Sequence, residues 1–267
     1  MNDFNVFMDE LPLWSAPFGL TLLDTLQFRK HVTVLDIGCG EGFPIIEIAS
    51  RFGETSRCIG LDPLARPLAR LAYKKQMYRL PGVHAVQGTA EALPFGAQSV
   101  DLVVSNNGTN NVADVHQTFM ECRRVMKPEG QLVIAVNTEQ TMAEFYQLFE
   151  QVLLEQGLGE SVAKIQDQIY RKRLSRKMLE TVLHTCGFAV RQVIEDRFSM
   201  RFADGTTLLG HYLIRNFFLD GWKSLVPPDR QEAVFVRIQE RLNRMACQTG
   251  HIRLTIPYLV LDAVPVS

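Results

Sequence analysis

Little in this chain of 267 residues is present in excess, and the shortages narrow its function first. Neither sign of charge dominates: 28 lysines and arginines face 29 acids, a net charge of −1. That balance gives no long-range field toward nucleic acid or an anionic membrane. No run approaches the ~18 apolar residues that span a bilayer. Met1-Asn2-Asp3-Phe4 lacks the basic start and apolar block of a secretory signal. The five cysteines, Cys39, Cys58, Cys122, Cys186 and Cys247, are scattered, with no C-x-x-C and no histidine at ligand spacing. They read as reduced thiols outside any zinc or disulfide framework, so no metal is expected. These absences predict a cytoplasmic protein with no nucleic-acid or membrane partner, and they leave a homodimer open. Repeats and low-complexity tracts are missing too. Arg171-Lys172-Arg173 is the densest basic run, and such runs are usually solvated helix faces.

What is present is ordinary in amount and informative in order. Hydrophobic residues make up 46% and charged residues 21%, enough apolar material for a large core. The length is long for one domain and short for two, which favours one core with an elaboration. From residue 32 to about 195, apolar strands alternate with helical patterns, as in a parallel sheet covered on both faces. Strands are expected at Val32–Ile37, Arg57–Asp62, Val83–Gln87, Asp101–Ser105, Gln131–Asn137, Ala189–Glu195 and Ile252–Val264. Helices are expected near 20–28, 42–53, 64–79, 112–126 and 175–186, with Lys127-Pro128-Glu129-Gly130 as a turn and Gly187 as a C-cap.

The most informative stretch is Val34-Leu35-Asp36-Ile37-Gly38-Cys39-Gly40-Glu41-Gly42. An apolar strand with one acid runs into three glycines at alternate positions, and a helix follows. Such a junction offers backbone N–H groups and a helix N-terminus to a polar ligand. Glycine is required where a Cβ would hold that ligand off the main chain. The spacing G-x-G-x-G is not the dinucleotide pattern G-x-G-x-x-G. Twenty residues beyond Gly42, Asp62 ends the second strand, where an acid can accept both hydroxyls of a ribose or simply cap the next helix.

This stretch resembles the first motif of class I S-adenosylmethionine (SAM) methyltransferases, broadly the ubiquinone/menaquinone-biosynthesis and small-molecule O- and N-methyltransferase group. The resemblance covers roughly residues 30–137, and more loosely 175–195 and 252–264. It implies a Rossmann-like, doubly wound α/β fold with seven strands, mostly parallel with an antiparallel last strand. It implies SAM as cofactor, wrapped at its methionine end by Asp36, Gly38, Cys39, Gly40 and Gly42. Asp62 would take the ribose, with Pro63 beside it. Gly88-Thr89-Ala90-Glu91-Ala92-Leu93-Pro94-Phe95 is similar to the family segment G-D-A-E-x-L-P-F bordering the adenine, which points to Thr89, Ala90 and Glu91. Thr89 replaces the acid that would accept from the adenine amine. After the fourth strand, Asn106 and Asn107 would lie near the methyl group, though asparagines there also form turns and caps.

Beyond the core, residues 138–172 and 197–250 carry additional helices. The expected division is a SAM-binding core at 1–196 and 251–267, with 197–250 as an inserted lid covering the substrate. Its aromatic residues suit an apolar or aromatic small-molecule acceptor, and they suit a core of their own equally well. Trp14, Phe18 and Tyr212 are the candidate substrate contacts, and His211 the candidate catalytic base. The helix near 20–28 would cover the cofactor cleft or pack on the sheet. Two rivals remain at this stage. One is an NAD-dependent oxidoreductase, which shares the strand-turn-helix and Asp62 but wants a third dinucleotide glycine. The other is a SAM-binding module without catalysis.

Overall fold

A computed structural model describes residues 13–266. Met1–Phe4, read above for a leader, lies outside the described residues, as do the side chains of Arg171 and Lys172. The chain begins with α1 (Ala16–Thr25), β1 (Thr33–Ile37), α2 (Ile45–Phe52), β2 (Arg57–Asp62), α3 (Ala65–Met77) and β3 (Val83–Gln87). It continues through β4 (Val100–Asn106), α4 (Val115–Val125), β5 (Met126–Asn137), α5 (Ala143–Glu155), α6 (Gly159–Lys172) and α7 (Arg176–Thr185). It closes with β6 (Phe188–Phe202), α8 (Gly205–Gly210), α9 (Tyr212–Phe217), α10 (Leu219–Lys223), α11 (Gln231–Thr249) and β7 (Ile252–Pro265).

The strands form one seven-stranded sheet in the order β3-β2-β1-β4-β5-β7-β6. The first five pair in parallel, and β7 runs antiparallel to β5. The expected antiparallel final strand is therefore present, lying between β5 and β6 rather than at the edge. β4 is buried along its whole length, as a central parallel strand covered on both faces must be. In α2 the buried residues Ile45, Ile48, Ala49 and Phe52 share one face, and the helix stops at Gly53 in the left-handed region. Gly187 likewise follows α7 with φ of 81°.

One local expectation needs correction. Lys127–Gly130 is not a free turn but part of β5. Val100 pairs with Met126 and Leu102 with Gln131, so four residues are accommodated by a shift in register. Lys127 is held there by Asp101, 2.7 Å away, whose other oxygen accepts the Thr33 N–H at 2.8 Å.

The chain divides into two compact units. The first comprises residues up to Asn137, Leu174–Asp196 and Tyr258 onward. Its core joins Leu35, Ile37, Val103, Phe119, Leu132 and Leu261. The second comprises Thr138–Arg173 and Arg197–Pro257, so the helices at 138–172 group with the expected insertion. Within it Phe145 stacks on Trp222 at 3.9 Å, and Phe149 meets Phe235 at 5.7 Å. Trp222 is 1% exposed. These aromatics are thus the second unit's own core, with Phe217 left outside.

Two glycines hold the sheet's central junction together. A Cβ on Gly108 would lie 2.4 Å from the Ile37 carbonyl oxygen, and one on Gly38 would lie 2.8 Å from the Gly108 Cα. Gly108→Ala should therefore cost roughly 2–3 kcal/mol in urea unfolding, by forced separation of two backbones. Gly96→Ala, where a Cβ meets nothing within 4 Å, should change stability by less than about 0.5 kcal/mol. Equal effects at both positions would show that the close approach does not constrain the fold.

Candidate active site

The carboxyl ends of β1, β2 and β4 bring the predicted positions together on one edge of the first unit. After β1 the chain turns through Gly38, Gly40 and Gly42 with φ of 71°, 52° and 115°. All three conformations are strained for a residue with a Cβ. The Gly38 and Cys39 amides donate to the Leu61 carbonyl, at 2.8 and 3.1 Å, which pins the turn to β2. The Gly40 amide donates to Asp62 Oδ2 at 3.0 Å, and Asp62 Oδ1 accepts from the Leu64 N–H at 2.9 Å. Asp62 therefore braces the residues just ahead of α3, without capping the helix, and ties them to the glycine turn. Each of its oxygens keeps a lone pair for a further donor.

A Cβ built on Gly40 meets no atom of the described residues within 4 Å. The glycine turn thus faces open space at its centre while it is packed at Gly38. Cys39 turns its side chain away from the open centre of the turn. Its thiol is buried against Gly60, where a Cβ would come within 2.8 Å of Sγ, and burial pushes its pKa well up. Only the Cys39 backbone remains for a ligand.

Asp36 is fully buried, and neither carboxylate oxygen finds a hydrogen-bond partner among the described residues. Burial, reinforced by the nearby Asp62, holds its carboxyl well above the usual carboxylate range. The Ile45 amide favours the charge without reaching hydrogen-bond geometry, so it offsets little. At the end of β4, Asn106 donates to the Ser15 carbonyl at 3.0 Å, while its own buried Oδ1 has no partner. Asn107 takes the left-handed conformation (φ 63°), and its Oδ1 accepts from Asn110 Nδ2 at 2.9 Å and the Asn137 amide at 3.2 Å. Its side chain shapes the loop.

Helix α1 packs on the sheet against β4 and β5 and reaches this edge at Gly19. A Cβ on Gly19 would collide with the Phe43 ring at 2.2 Å and approach Asn106 Nδ2 at 3.2 Å. Phe18 is fully buried and meets Tyr258 edge-on at 5.1 Å, while Trp14 is half-buried with its ring 5.7 Å from Phe18. Thr89 is exposed and Ala90 buried. Glu91 has structural work: its Oε1 accepts the Ala113 amide at 2.7 Å, just ahead of α4. Pro63 offers its carbonyl to Gln87 Nε2 at 3.0 Å.

His211 and Tyr212 belong to the second unit. The His211 ring lies 5.2 Å from Phe202 and 4.6 Å from Tyr212, its buried Nδ1 is without a partner, and burial lowers its pKa. Three residues of the site escaped the sequence reading. Gly108 and Gly60 make room for the glycine turn, and Ser105 Oγ bridges the Ile37 carbonyl (2.9 Å) to the Thr109 amide (3.2 Å). The only signal was their position at strand ends. No group of three or more acids, histidines or cysteines among the described residues could hold a metal ion.

A parallel sheet with an antiparallel seventh strand, a glycine turn after β1 and an acid at the end of β2 form a fold shared with solved methyltransferases. Residues 35–134 match the methyltransferase domain family. Over 112 residues it is 34% identical to 2-phytyl-1,4-naphtoquinone methyltransferase of Thermosynechococcus vestitus, covering 42% of this chain and 49% of that protein. Over 124 residues it is 33% identical to demethylmenaquinone methyltransferase of Oceanobacillus iheyensis, covering 46% of this chain and 52% of the other. The chain thus spans about half the length of these curated relatives. In fold it resembles geranyl diphosphate C-methyltransferase of Streptomyces coelicolor, solved with S-adenosyl-L-homocysteine, with a TM-score of 0.57 at 18% identity over 97% of this chain and 82% of that one.

Asp36 makes stability depend on pH in a definite direction. Its folded pKa lies above its unfolded value of about 4, so the folded state binds more protons between the two. Stability contributed by the protonated carboxyl is therefore lost as pH rises through that window. In urea unfolding of the free protein, the stability of Asp36→Asn relative to wild type should grow from pH 4 upward and level off above the folded pKa. A gap that shrinks with rising pH would contradict the buried carboxyl.

Proposed function

We propose that the protein is a SAM-dependent methyltransferase that methylates a small apolar or aromatic acceptor. The open turn at Gly40, tied to Asp62, is the observation that carries this reading. The residues fit the cofactor on three counts. Gly40 leaves the volume that any side chain would fill. Asp36 is a buried carboxylate in want of a cation, and the methionine end of SAM carries an ammonium. Asn106 has a buried oxygen in want of a donor.

In this reading Gly38, Cys39, Gly40 and Gly42 hold the methionine end through their main chain, beside Asp36. Asp62 accepts the ribose hydroxyls, Pro63 borders them, and Thr89 and Ala90 border the adenine. Glu91 and Asn107 shape the flanking loops. When bound, SAM supplies an activated methyl group on a sulfonium. The chain's own contribution is then alignment, exclusion of water and, for a hydroxyl or carbon-acid acceptor, removal of a proton.

The second unit is proposed as the acceptor-covering segment. The chain first leaves the first unit after Asn137, returns to it for Leu174–Asp196, and re-enters for good at Tyr258, which pairs with Asn137 across β5 and β7. His211 is its candidate base, uncharged because burial disfavours the imidazolium. Near-zero net charge and scattered thiols favour a cytoplasmic setting without nucleic acid or membrane. No helix among the described residues is long and apolar enough to cross a membrane. Sedimentation would reveal a homodimer.

Calorimetry with SAM and with NAD separates this reading from an oxidoreductase, and turnover separates it from a binding module. Gly40→Val should lose about 1–2 kcal/mol of stability to the left-handed backbone, yet remain folded. Its SAM affinity should fall at least about 100-fold, since the new Cβ enters the ligand's space. A folded variant with unchanged SAM affinity would remove the assignment.

His211→Gln should lower kcat while SAM binding stays unchanged. The wild-type rate should rise with pH through a midpoint below the usual imidazole value of about 6.5, because the neutral ring is the active form. An unaltered kcat in the variant would exclude the histidine from the reaction.

A further inference from the structure

The basic run Arg171-Lys172-Arg173 reads from sequence as a solvated helix face, yet Arg173 is only 7% exposed. A buried guanidinium is costly unless a carboxylate or several acceptors satisfy it. One Nη1–H donates to the Thr141 carbonyl at 3.2 Å, and the guanidinium carbon sits 5.6 Å from the centre of the Tyr146 ring. Of the five N–H donors a guanidinium carries, four have no protein acceptor among the described residues. No ion pair joins it to an acid among the described residues. Glu144 accepts the backbone N–H and hydroxyl of Thr255, and Glu139 keeps a buried Oε2 with no partner.

Tyr146 carries a second unused donor. Its hydroxyl accepts from Trp222 Nε1 at 3.1 Å, but its own proton has no acceptor among the described residues. A planar cation and a phenol proton, both buried within an aromatic cluster, match an oxyanion in charge and in donor number. None of the unpaired Arg173 nitrogens is among the fully buried orphan atoms, so they stay within reach of solvent and of a ligand from solution. We propose that Arg173 and Tyr146 form an oxyanion-binding position in the second unit, which receives a carboxylate or phosphate group of the methyl acceptor. The identity of the occupant rests on the methyltransferase reading; the anion position itself does not.

Trp222 is the natural reporter, since it is bonded to Tyr146 and stacked on Phe145. The chain has two tryptophans, so a Trp14→Phe background isolates its fluorescence. In that background, benzoate, benzamide and inorganic phosphate are titrated separately. At least one of the two anions should give a saturable emission change, with benzamide at least about tenfold weaker. The stronger of benzoate and phosphate tells which oxyanion the position suits. Arg173→Met should abolish the response, and Arg173→Lys should keep part of it through charge without the planar fork. A response to benzamide equal to that of benzoate, no saturation by either anion, or an undiminished response in a folded Arg173→Met would each overturn the proposal. If Arg173→Met does not fold, the benzoate–benzamide contrast and Arg173→Lys decide. SAM calorimetry on the same proteins keeps the two readings apart: failure of SAM to bind wild type removes the methyltransferase reading and leaves the anion response to stand or fall alone.

Discussion

The carboxylate of Asp62 is the tie on which the site depends. One oxygen holds the Gly40 amide and the other the Leu64 amide, so a single side chain fixes a left-handed turn and the entry to α3. Without it the Gly40 amide would lose the acceptor that holds the turn to β2. The tie spans two parallel neighbours, β1 and β2, whose register sets Ile37 against Leu61. Strand pairing thus delivers the turn to the acid, and the acid then holds the turn against the open space a ligand would fill.

Close to this tie lies a destabilising element. Asp36 is buried without hydrogen bonds in the field of Asp62, an arrangement that opposes its own ionisation. A fold selected for stability alone would place an apolar residue there, as it does at Val34, Leu35 and Ile37. Buried charge of one sign attracts a ligand of the other, and the energy lost in the free protein can return as differential binding. The second unit repeats the logic with the sign reversed at Arg173.

Much of the fold is legible because parallel strands announce themselves as apolar runs cut by glycine or an acid. Arg57–Asp62 and Val83–Gln87 fall where periodicity placed them. What periodicity does not carry is a contact with a distant partner. Gly108 and Gly60 look like ordinary loop and strand glycines until Gly38 and Cys39 are brought against them. Glu91 matches a family segment by position, yet its oxygen is drawn to the amides ahead of α4. Lys127–Gly130 has the composition of a turn, and the pairing of Met126 and Gln131 with β4 stretches it into a strand. Arg173 shares a basic run with its neighbours, and only the aromatic cluster around Tyr146 separates its fate from a solvated one.

The position of β7 has a consequence for the order in which the molecule can be made. Because β7 lies between β5 and β6, Leu132 waits for Ala263 before its outer edge is covered. During synthesis the five parallel strands can assemble before β7 is made, but β5 keeps a row of unpaired amides until β7 arrives. An exposed apolar edge of that kind invites pairing with another nascent chain. β7 therefore acts as the latch of the whole sheet, and a chain cut before Tyr258 would lose the strand that separates β5 from β6.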